Sequence, residues 1–391
     1  MKTLPGYIGS AAFGIKMGIF VPGSDLIGEI ASRSEELSRD GLLDDGDVIC
    51  ITESVVARVQ NNIVTVEQVA AEVKEKLGLE DTSTLGVVYP IASRNRFSVV
   101  LQGLAKAVPK GKVVVQFSYP NDEVGNQVID PAYAAASGGP DAVLYHSEIP
   151  QEMLLHPVTR IDYGSYYKEI IGRQGAQAVI LYANDPLAVM AEQPDGVIAA
   201  DIRTRRETQR RIQEELDNCI TLQDLCSNGE IRSEWGLLGS NMSSDGKLKL
   251  APRDCEKITQ AVQSEILQRT GRTVEVLIYG DGAYKDPATG IYELADPVTT
   301  FGSTPGLRDQ VRCGVKYKML VDHLHAQGKS FDEIERAIKE AQANDLSPDS
   351  MTTEGTTPRR LKDILATLAD LVSGSADAGT PVVLIKGIYQ G

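Results

Sequence analysis

The stretch Val113-Val114-Val115-Gln116-Phe117 runs through Ser118 into the polar segment Tyr119-Pro120-Asn121-Asp122-Glu123-Val124-Gly125-Asn126. The first five residues are typical of a strand buried on both faces, as in a parallel sheet. A proline and a glycine mark the polar segment as a loop, and loops at strand ends hold side chains where they can reach a ligand. Asp122 and Glu123 carry the carboxylate oxygens that magnesium and manganese prefer. The alternative interpretation is a solvated turn.

Similar apolar strand patterns, separated by amphipathic helix patterns, occur on both sides of this stretch. The predicted strands cover residues 47–51, 85–89, 178–182, 274–279 and 381–386, and the predicted helices include residues 26–38, 66–77, 97–107, 199–216, 254–271, 331–341 and 361–372. Thr65 and Gln68 have the spacing of a capping box before the second of these helices. This alternation predicts an α/β or α+β chain. Because the pattern changes after residue 128, we expect a core built from residues 1–128 and 251–391 and an inserted α/β subdomain at residues 129–250.

Composition narrows the classes of function. The chain has 391 residues, which favours two or three domains, and its net charge of −15 argues against nucleic-acid binding. We find no apolar run of membrane-spanning length and no signal-peptide pattern. The five cysteines are scattered without a C-x-x-C pair, which fits reduced thiols in the cytoplasm better than disulfides or a zinc site.

Three predicted strands run into loops that carry acids or bases, at residues 51–58, 117–126 and 279–286. A fourth loop, residues 374–379, is rich in small residues, and its backbone N–H groups are suited to a phosphate. Four such loops favour one site assembled from several loops over independent turns. The Walker A and dinucleotide-binding signatures are incomplete in this sequence, and the G-x-S-x-G signature is absent.

Three segments resemble signatures of the coenzyme F420-0:L-glutamate ligase family. Residues 46–58 resemble "GDVLVV-[ST]-x-V-[VI]-[SA]-K", residues 270–281 resemble "TGKRV-x-V-[IV]-x-[ST]-D-[ST]", and residues 368–387 resemble the C-terminal glycine-loop signature "LLMG-x-x-x-x-G-[IV]-P-x-V-[VL]-[IV]-RG". The resemblance implies an α+β fold with mixed sheets, a homodimer, and a GTP-dependent ligase that uses divalent magnesium or manganese. In that family a substrate carboxylate is activated as an acyl phosphate, and the amine of L-glutamate then attacks it.

The resemblance also implies metal ligands. The metal-binding Asp of the family motif "GxDxSN" corresponds to Asp122, although Glu123 has the family's spacing to Asn126, so either residue is a candidate. The second metal-binding Asp corresponds to Asp281. Gly282 stands where the family has the following Ser or Thr, and it offers only a backbone carbonyl.

The nucleotide contacts implied by the resemblance lie on four segments. The family's Ser-Thr pair falls on Glu53 and Ser54, its Lys falls on Arg58, and the Asn of "GxDxSN" corresponds to Asn126. The glycine loop corresponds to Gly374, Ser375, Ala376 and Asp377, where Ser375 replaces a metal-binding acid and Asp377 is a possible substitute.

The sequence leaves three classes of function open. One is a nucleotide- and metal-dependent γ-glutamyl ligase whose carboxylate acceptor is a deazaflavin or another acid such as a folate. The second is a nucleotide- and metal-binding regulatory protein that kept the fold without turnover, an alternative prompted by Ser375 and Gly282. The third is a different enzyme on the same scaffold, such as a kinase-like phosphotransferase.

Overall fold

A computed structural model describes residues 7–244, 246–280, 284–285, 292–293, 296–312, 315–343, 359–373 and 379–388. The strands in these residues are β1 Ala11–Ile15, β2 Val48–Thr52, β3 Ile63–Thr65, β4 Thr84–Val88, β5 Lys112–Phe117, β6 Leu144–Tyr145, β7 Gln177–Tyr182, β8 Gly196–Ala199, β9 Cys219–Thr221, β10 Asn241–Ser244, β11 Lys247–Lys249, β12 Glu275–Tyr279, β13 Tyr284–Lys285, β14 Tyr292–Glu293, β15 Thr300–Ser303, β16 Val311–Arg312, β17 Arg359–Arg360 and β18 Val382–Lys386. The α-helices are α1 Leu26–Arg39, α2 Glu53–Val59, α3 Val66–Leu77, α4 Phe97–Lys106, α5 Pro131–Ala136, α6 Tyr163–Arg173, α7 Arg205–Ile212, α8 Cys255–Thr270, α9 Tyr317–Ala326, α10 Phe331–Ala343 and α11 Leu361–Ser373.

The first large sheet joins strands from the two ends of the chain. Its order is β1-β18-β2-β12-β15, and it is mixed, because only β2 and β12 run parallel. Helices α1 and α8 cover one face, where Ile49 and Ile51 lie in the core, and α11 covers the other, where Val48 and Cys50 lie. Successive strand residues point to opposite faces, so an apolar strand such as β2 is expected between two helical layers.

The second large sheet has the order β6-β7-β5-β4-β8-β9, and all neighbouring strands except β6 and β7 run parallel. Val113 and Val115 pack toward α3, α4 and α6, whereas Val114 packs on the other face against Ile212 of α7 and Val189 of a 3-10 helix. Chain connections therefore lie on both faces, as in doubly wound α/β sheets.

The strand pairing does not follow the predicted boundary at residue 128 between the core and the inserted subdomain. Strands β4 and β5, which we assigned to the first part of the core, hydrogen-bond to β7 and β8 within the predicted inserted subdomain. Sheet membership depends on pairing between distant segments, which local sequence does not encode.

A small antiparallel sheet has the order β10-β11-β3. In the sequence, its strands fall between strands of the two large sheets. It pairs Lys249 with Ile63, which follows α2 by four residues. The backbone N–H of Met242 in β10 also donates to the carbonyl of Asn95 in the loop after β4. This sheet thus brings β10 and β11 next to α2 and to the loop that precedes α4.

The prediction of an α+β chain with mixed sheets is confirmed. Helix α3 has the predicted bounds, and Thr65 and Gln68 form the predicted capping box. The long helix predicted for residues 199–216 is wrong: Ala199 ends strand β8, and the helix begins only at Arg205. No helix among the described residues is long and apolar enough to cross a membrane.

Candidate functional site

The candidate site begins where two parallel strands of the mixed sheet end. Thr52, the last residue of β2, pairs with Tyr279, the last residue of β12. Helix α2 starts directly after β2 with Glu53, and Gly280 follows β12. Because parallel neighbours end at the same edge of a sheet, the loops carrying Glu53 and Gly280 lie together.

Four charged side chains from distant segments gather at this edge, and we call Glu53, Arg96, Lys249 and Asp296 the charged cluster. Lys249 Nζ lies 3.4 Å from Glu53 Oε2 and donates to Ser54 Oγ at 2.7 Å. Arg96 Nη1 donates to Asp296 Oδ1 at 2.8 Å. The Glu53 and Lys249 side chains are only 12% and 11% exposed, so these charges are largely removed from water.

Burial is also the main influence on the acidity of Glu53. It raises the pKa of this carboxyl group, and the nearby negative charge of Asp296 raises it further. The positive charges of Lys249 and Arg96 act in the opposite direction. The two carboxylates and two cations therefore form one interacting unit, in which removal of one member changes the charge balance of the others.

A pocket of about 410 Å³ opens beside Glu53, and we call it the polar pocket. Its polar lining consists of Ser54, Arg58, Asn241, Ser243 and Lys249. Apolar side chains, including Phe20 and Ile63, complete the walls. Cationic, hydroxyl and amide groups around a space of this size suit a phosphorylated small molecule.

Two of the predicted nucleotide contacts, Ser54 and Arg58, line the polar pocket, and Glu53 adjoins it through Lys249. Asn126 does not: its side-chain amide donates to Asp122 Oδ2 at 2.9 Å. Gly374, Ser375, Ala376 and Asp377, like Asp281 and Gly282, lie outside the described residues.

Asp122 connects the loop after β5 to the loop after β4. Its Oδ2 accepts from the backbone N–H of Ala92 at 2.7 Å, and its Oδ1 accepts from those of Val124 and Asn126. Burial raises the pKa of Asp122 to about 6, against the effect of these hydrogen bonds. The carboxylate therefore holds two loops together.

Glu123 has a similar role toward the loop after β8. Its two carboxylate oxygens accept from the backbone N–H groups of Ile202 and Arg203, at 2.5 and 2.6 Å. Across the part of the chain that the structure describes, no group of three or more His, Cys, Asp or Glu residues is arranged to hold a metal ion. A metal at Asp122 or Glu123 remains a prediction.

These loops meet at the carboxyl ends of β4 and β8, where doubly wound sheets usually bind ligands. Here the space between them is a cavity of about 30 Å³, lined mainly by apolar side chains such as Ile91, Phe97 and Ile202. That volume holds a water molecule or two, not a nucleotide. Among the described residues, two larger pockets lie near the mixed sheet instead.

His146, Asp162 and Ser165 form another cluster of reactive residue types. Both Asp162 oxygens and Ser165 Oγ contact the same ring nitrogen, His146 Nε2. A nucleophile relay needs the two partners on opposite ring nitrogens. Asp162 also caps α6 by accepting from the N–H of Ser165, so the cluster is structural.

Sequence reasoning missed four residues of the site as functional candidates: Asn241, Ser243, Lys249 and Asp296. One signal was available, because Ser240-Asn241 repeats the Ser-Asn pair of the "GxDxSN" motif that was matched to Asn126. For Asp296 and Lys249 no local signal exists. Arg96 belongs to the basic segment Ser93-Arg94-Asn95-Arg96, a pattern that a solvated turn and a binding loop share.

Comparisons with known proteins give one family. A model of the family described as F420-0:Gamma-glutamyl ligase matches residues 14–387. A comparison with curated proteins found no match. Among solved structures, the chain is similar to the crystal structure of the tetrameric eIF2B-beta2-delta2 complex from C. thermophilum, with 12% sequence identity, coverage of 51% of this chain and 72% of that chain, and a TM-score of 0.24. At this TM-score the likeness supports no inference about function.

Proposed function

Because the chain belongs to the F420-0:gamma-glutamyl ligase family, we propose that it forms an amide bond between a substrate carboxylate and the amine of L-glutamate, driven by a nucleoside triphosphate. The polar pocket is the observation that supports nucleotide binding, because Ser54, Arg58 and Lys249 line it beside the buried carboxylate of Glu53. Membership of the family indicates the γ-glutamyl ligase activity. The nucleotide, the cation and the acyl phosphate are our proposal.

The chemistry explains why a phosphate site is needed. A carboxylate is a poor acyl donor, because its leaving group would be an oxide ion. Attack of the carboxylate oxygen on the γ-phosphorus gives an acyl phosphate and a nucleoside diphosphate. The glutamate nitrogen then attacks the acyl carbon, phosphate leaves, and the nitrogen loses a proton to give the amide.

In this proposal the polar pocket holds the triphosphate. Arg58 and Lys249 supply positive charge, and the Ser54 and Ser243 hydroxyl groups and the Asn241 amide supply hydrogen bonds. Asn241 takes the role that the resemblance assigned to Asn126, since it lines the pocket and Asn126 does not. We retain GTP as the first nucleotide to test, with ATP as the alternative.

A divalent cation would neutralise phosphate charge when it is bound. Asp296 is suited to hold it, since its carboxylate lies against the backbone of Gly280 at the end of β12, where a Cβ placed on Gly280 would be 2.5 Å from Asp296 Oδ2. The resemblance assigns the metal to Asp281, which lies outside the described residues. Hard carboxylate oxygens of this kind prefer magnesium or manganese. The homodimer implied by the family resemblance is part of the same proposal.

The ligase is tested by phosphate release. The chain is mixed with Mg²⁺, GTP or ATP, L-glutamate and a panel of carboxylate acceptors that includes the F420-0 named by the family. We expect release of one phosphate for each amide formed, and Arg58→Ala should raise the KM for nucleotide. Saturable nucleotide binding with no turnover for any acceptor would instead support the regulatory alternative, which is favoured by the structural use of Asp122 and Glu123.

A further inference from the structure

A second pocket, of about 390 Å³, lies beside β15 and the start of α8, and we call it the aromatic pocket. Trp235 and Phe301 line it, with ring centroids 6.4 Å apart and planes at 86°. The remaining walls come from Glu234 and from the start of α8, residues 254–257. This is an edge-to-face contact, and both side chains are half-buried, so part of each ring faces the pocket.

The acids around this pocket are already engaged by other groups. Asp254 pairs with Lys257 at 2.7 Å and with Arg232 at 3.3 Å. Glu234 accepts from the backbone N–H of Asp254 at 2.9 Å, and Glu256 lies 3.6 Å from Arg308. Since these carboxylates already have ion-pair or hydrogen-bond partners, we take the rings to be the main means of recognition.

The aromatic pocket adjoins the charged cluster through Gly280. A Cβ placed on Gly280 would lie 2.6 Å from Phe301 Cε2 and 2.5 Å from Asp296 Oδ2, so both side chains pack against the same backbone. The other end of the cluster, Lys249, borders the polar pocket. The cluster thus lies between a pocket suited to phosphates and a pocket suited to a ring.

We propose that the aromatic pocket binds the planar, fused heteroaromatic ring of the carboxylate acceptor, with Trp235 and Phe301 as the residues that select it. This inference rests on the proposed ligase function, because it requires an acceptor whose carboxylate reaches the charged cluster from this side. It assigns acceptor specificity to ring stacking rather than to charge.

Trp235 is the one tryptophan in the sequence, so its fluorescence reports directly on the pocket. The full chain is titrated with 5-deazariboflavin, a probe that carries a fused ring and no carboxylate. We expect saturable quenching, and at least a tenfold higher Kd for Phe301→Leu, which keeps an apolar side chain but removes the ring. Phe331→Leu is the matched control, because Phe331 is 85% exposed on α10 and its loss should leave the Kd unchanged.

Several outcomes overturn the inference: no saturable quenching, an unchanged Kd for Phe301→Leu, or quenching by GTP that competes with the probe and assigns the pocket to the nucleotide base. If Phe301→Leu does not fold, as judged by circular dichroism, Trp235→Leu is tested by the anisotropy of the probe's own fluorescence, with the same tenfold criterion.

Failure of this inference is distinct from failure of the ligase proposal. Probe binding that depends on Phe301, without turnover of any acceptor, supports the aromatic pocket and contradicts the ligase. Turnover of acceptors together with probe binding that does not depend on Phe301 supports the ligase and contradicts the aromatic pocket.

Discussion

Replacement of Lys249 by methionine tests whether the charged cluster acts as a unit. Methionine keeps an unbranched apolar side chain and removes the cation that lies 3.4 Å from Glu53 Oε2. At an effective dielectric constant of about 20, that separation corresponds to roughly 5 kcal/mol of attraction before desolvation is counted. Breaking a buried ion pair typically costs about 3–5 kcal/mol. Because Arg96 still compensates Glu53, we expect Lys249→Met to lower the free energy of unfolding by about 2–3 kcal/mol at pH 7.

The effect of Lys249→Met on the free energy of unfolding should depend on pH, and the direction follows from the pKa of Glu53. Burial raises the pKa of Glu53, and Lys249 opposes that rise, so the pKa increases further in Lys249→Met. A carboxyl group with a raised native pKa stabilises the fold fully below its unfolded pKa and loses that contribution as the pH rises through its native pKa. The decrease in the free energy of unfolding caused by Lys249→Met should therefore be small near pH 4.5 and reach its full size at pH 8.

The assay is urea unfolding of the wild type, Lys249→Met, Glu53→Gln and the double variant at both pH values. We expect a coupling free energy of about 2 kcal/mol at pH 8, since the double variant leaves no unpaired Glu53 charge. Lys339→Met is the control, because its partner Glu335 is exposed and such surface pairs contribute little. A coupling below about 0.5 kcal/mol, or an equal loss at both pH values, would refute the reasoning.

Three further predictions concern other parts of the chain. Because burial raises the pKa of Asp122 to about 6, the free energy of unfolding should fall by about 2 kcal/mol as the pH rises from 4 to 6, and Asp122→Asn should remove this slope in urea unfolding; an unchanged slope would contradict it. Gly111→Ala should lower the free energy of unfolding by about 2 kcal/mol or more, because the added Cβ would lie 2.0 Å from the carbonyl oxygen of Ser83. Gly172→Ala is the control and should not destabilise the protein, because its Cβ would meet no packed neighbour within 4 Å; equal melting temperatures for the two variants would contradict the prediction. Arg58→Ala should raise the Kd for GTP at least tenfold by calorimetry without changing the melting temperature, and unaltered binding would remove Arg58 from the nucleotide site.

Most secondary structure was predictable because its signals are local. Helix α3 follows from apolar residues at helical spacing and from the Thr65–Gln68 capping box. The exception, residues 199–216, shows the limit of such signals. The short apolar segment Gly196–Ala199 is compatible with a strand or a helix, and its pairing with β4 decided in favour of a strand.

The opening stretch shows how a correct local prediction leaves the role of its side chains open. Residues 112–117 form a buried strand and the polar segment is a loop, as predicted. The structure shows Asp122 and Glu123 holding the loops after β4 and β8 through backbone N–H groups. The local sequence cannot distinguish a carboxylate that binds metal from one that accepts hydrogen bonds from loops, because the hydrogen-bond donors come from segments 30 and 79 residues away.

The sequence by itself determined the strand-to-helix turn that carries Glu53, Ser54 and Arg58, because this signature lies within 13 residues and its geometry is local. Only the tertiary structure decided which residues stand opposite it. Lys249 reaches Ser54 across 195 residues through the pairing of β11 with β3, and Arg96 reaches Asp296 across 200 residues. Such contacts depend on the free energy of packing two sheets together, and no short segment of the chain carries that information.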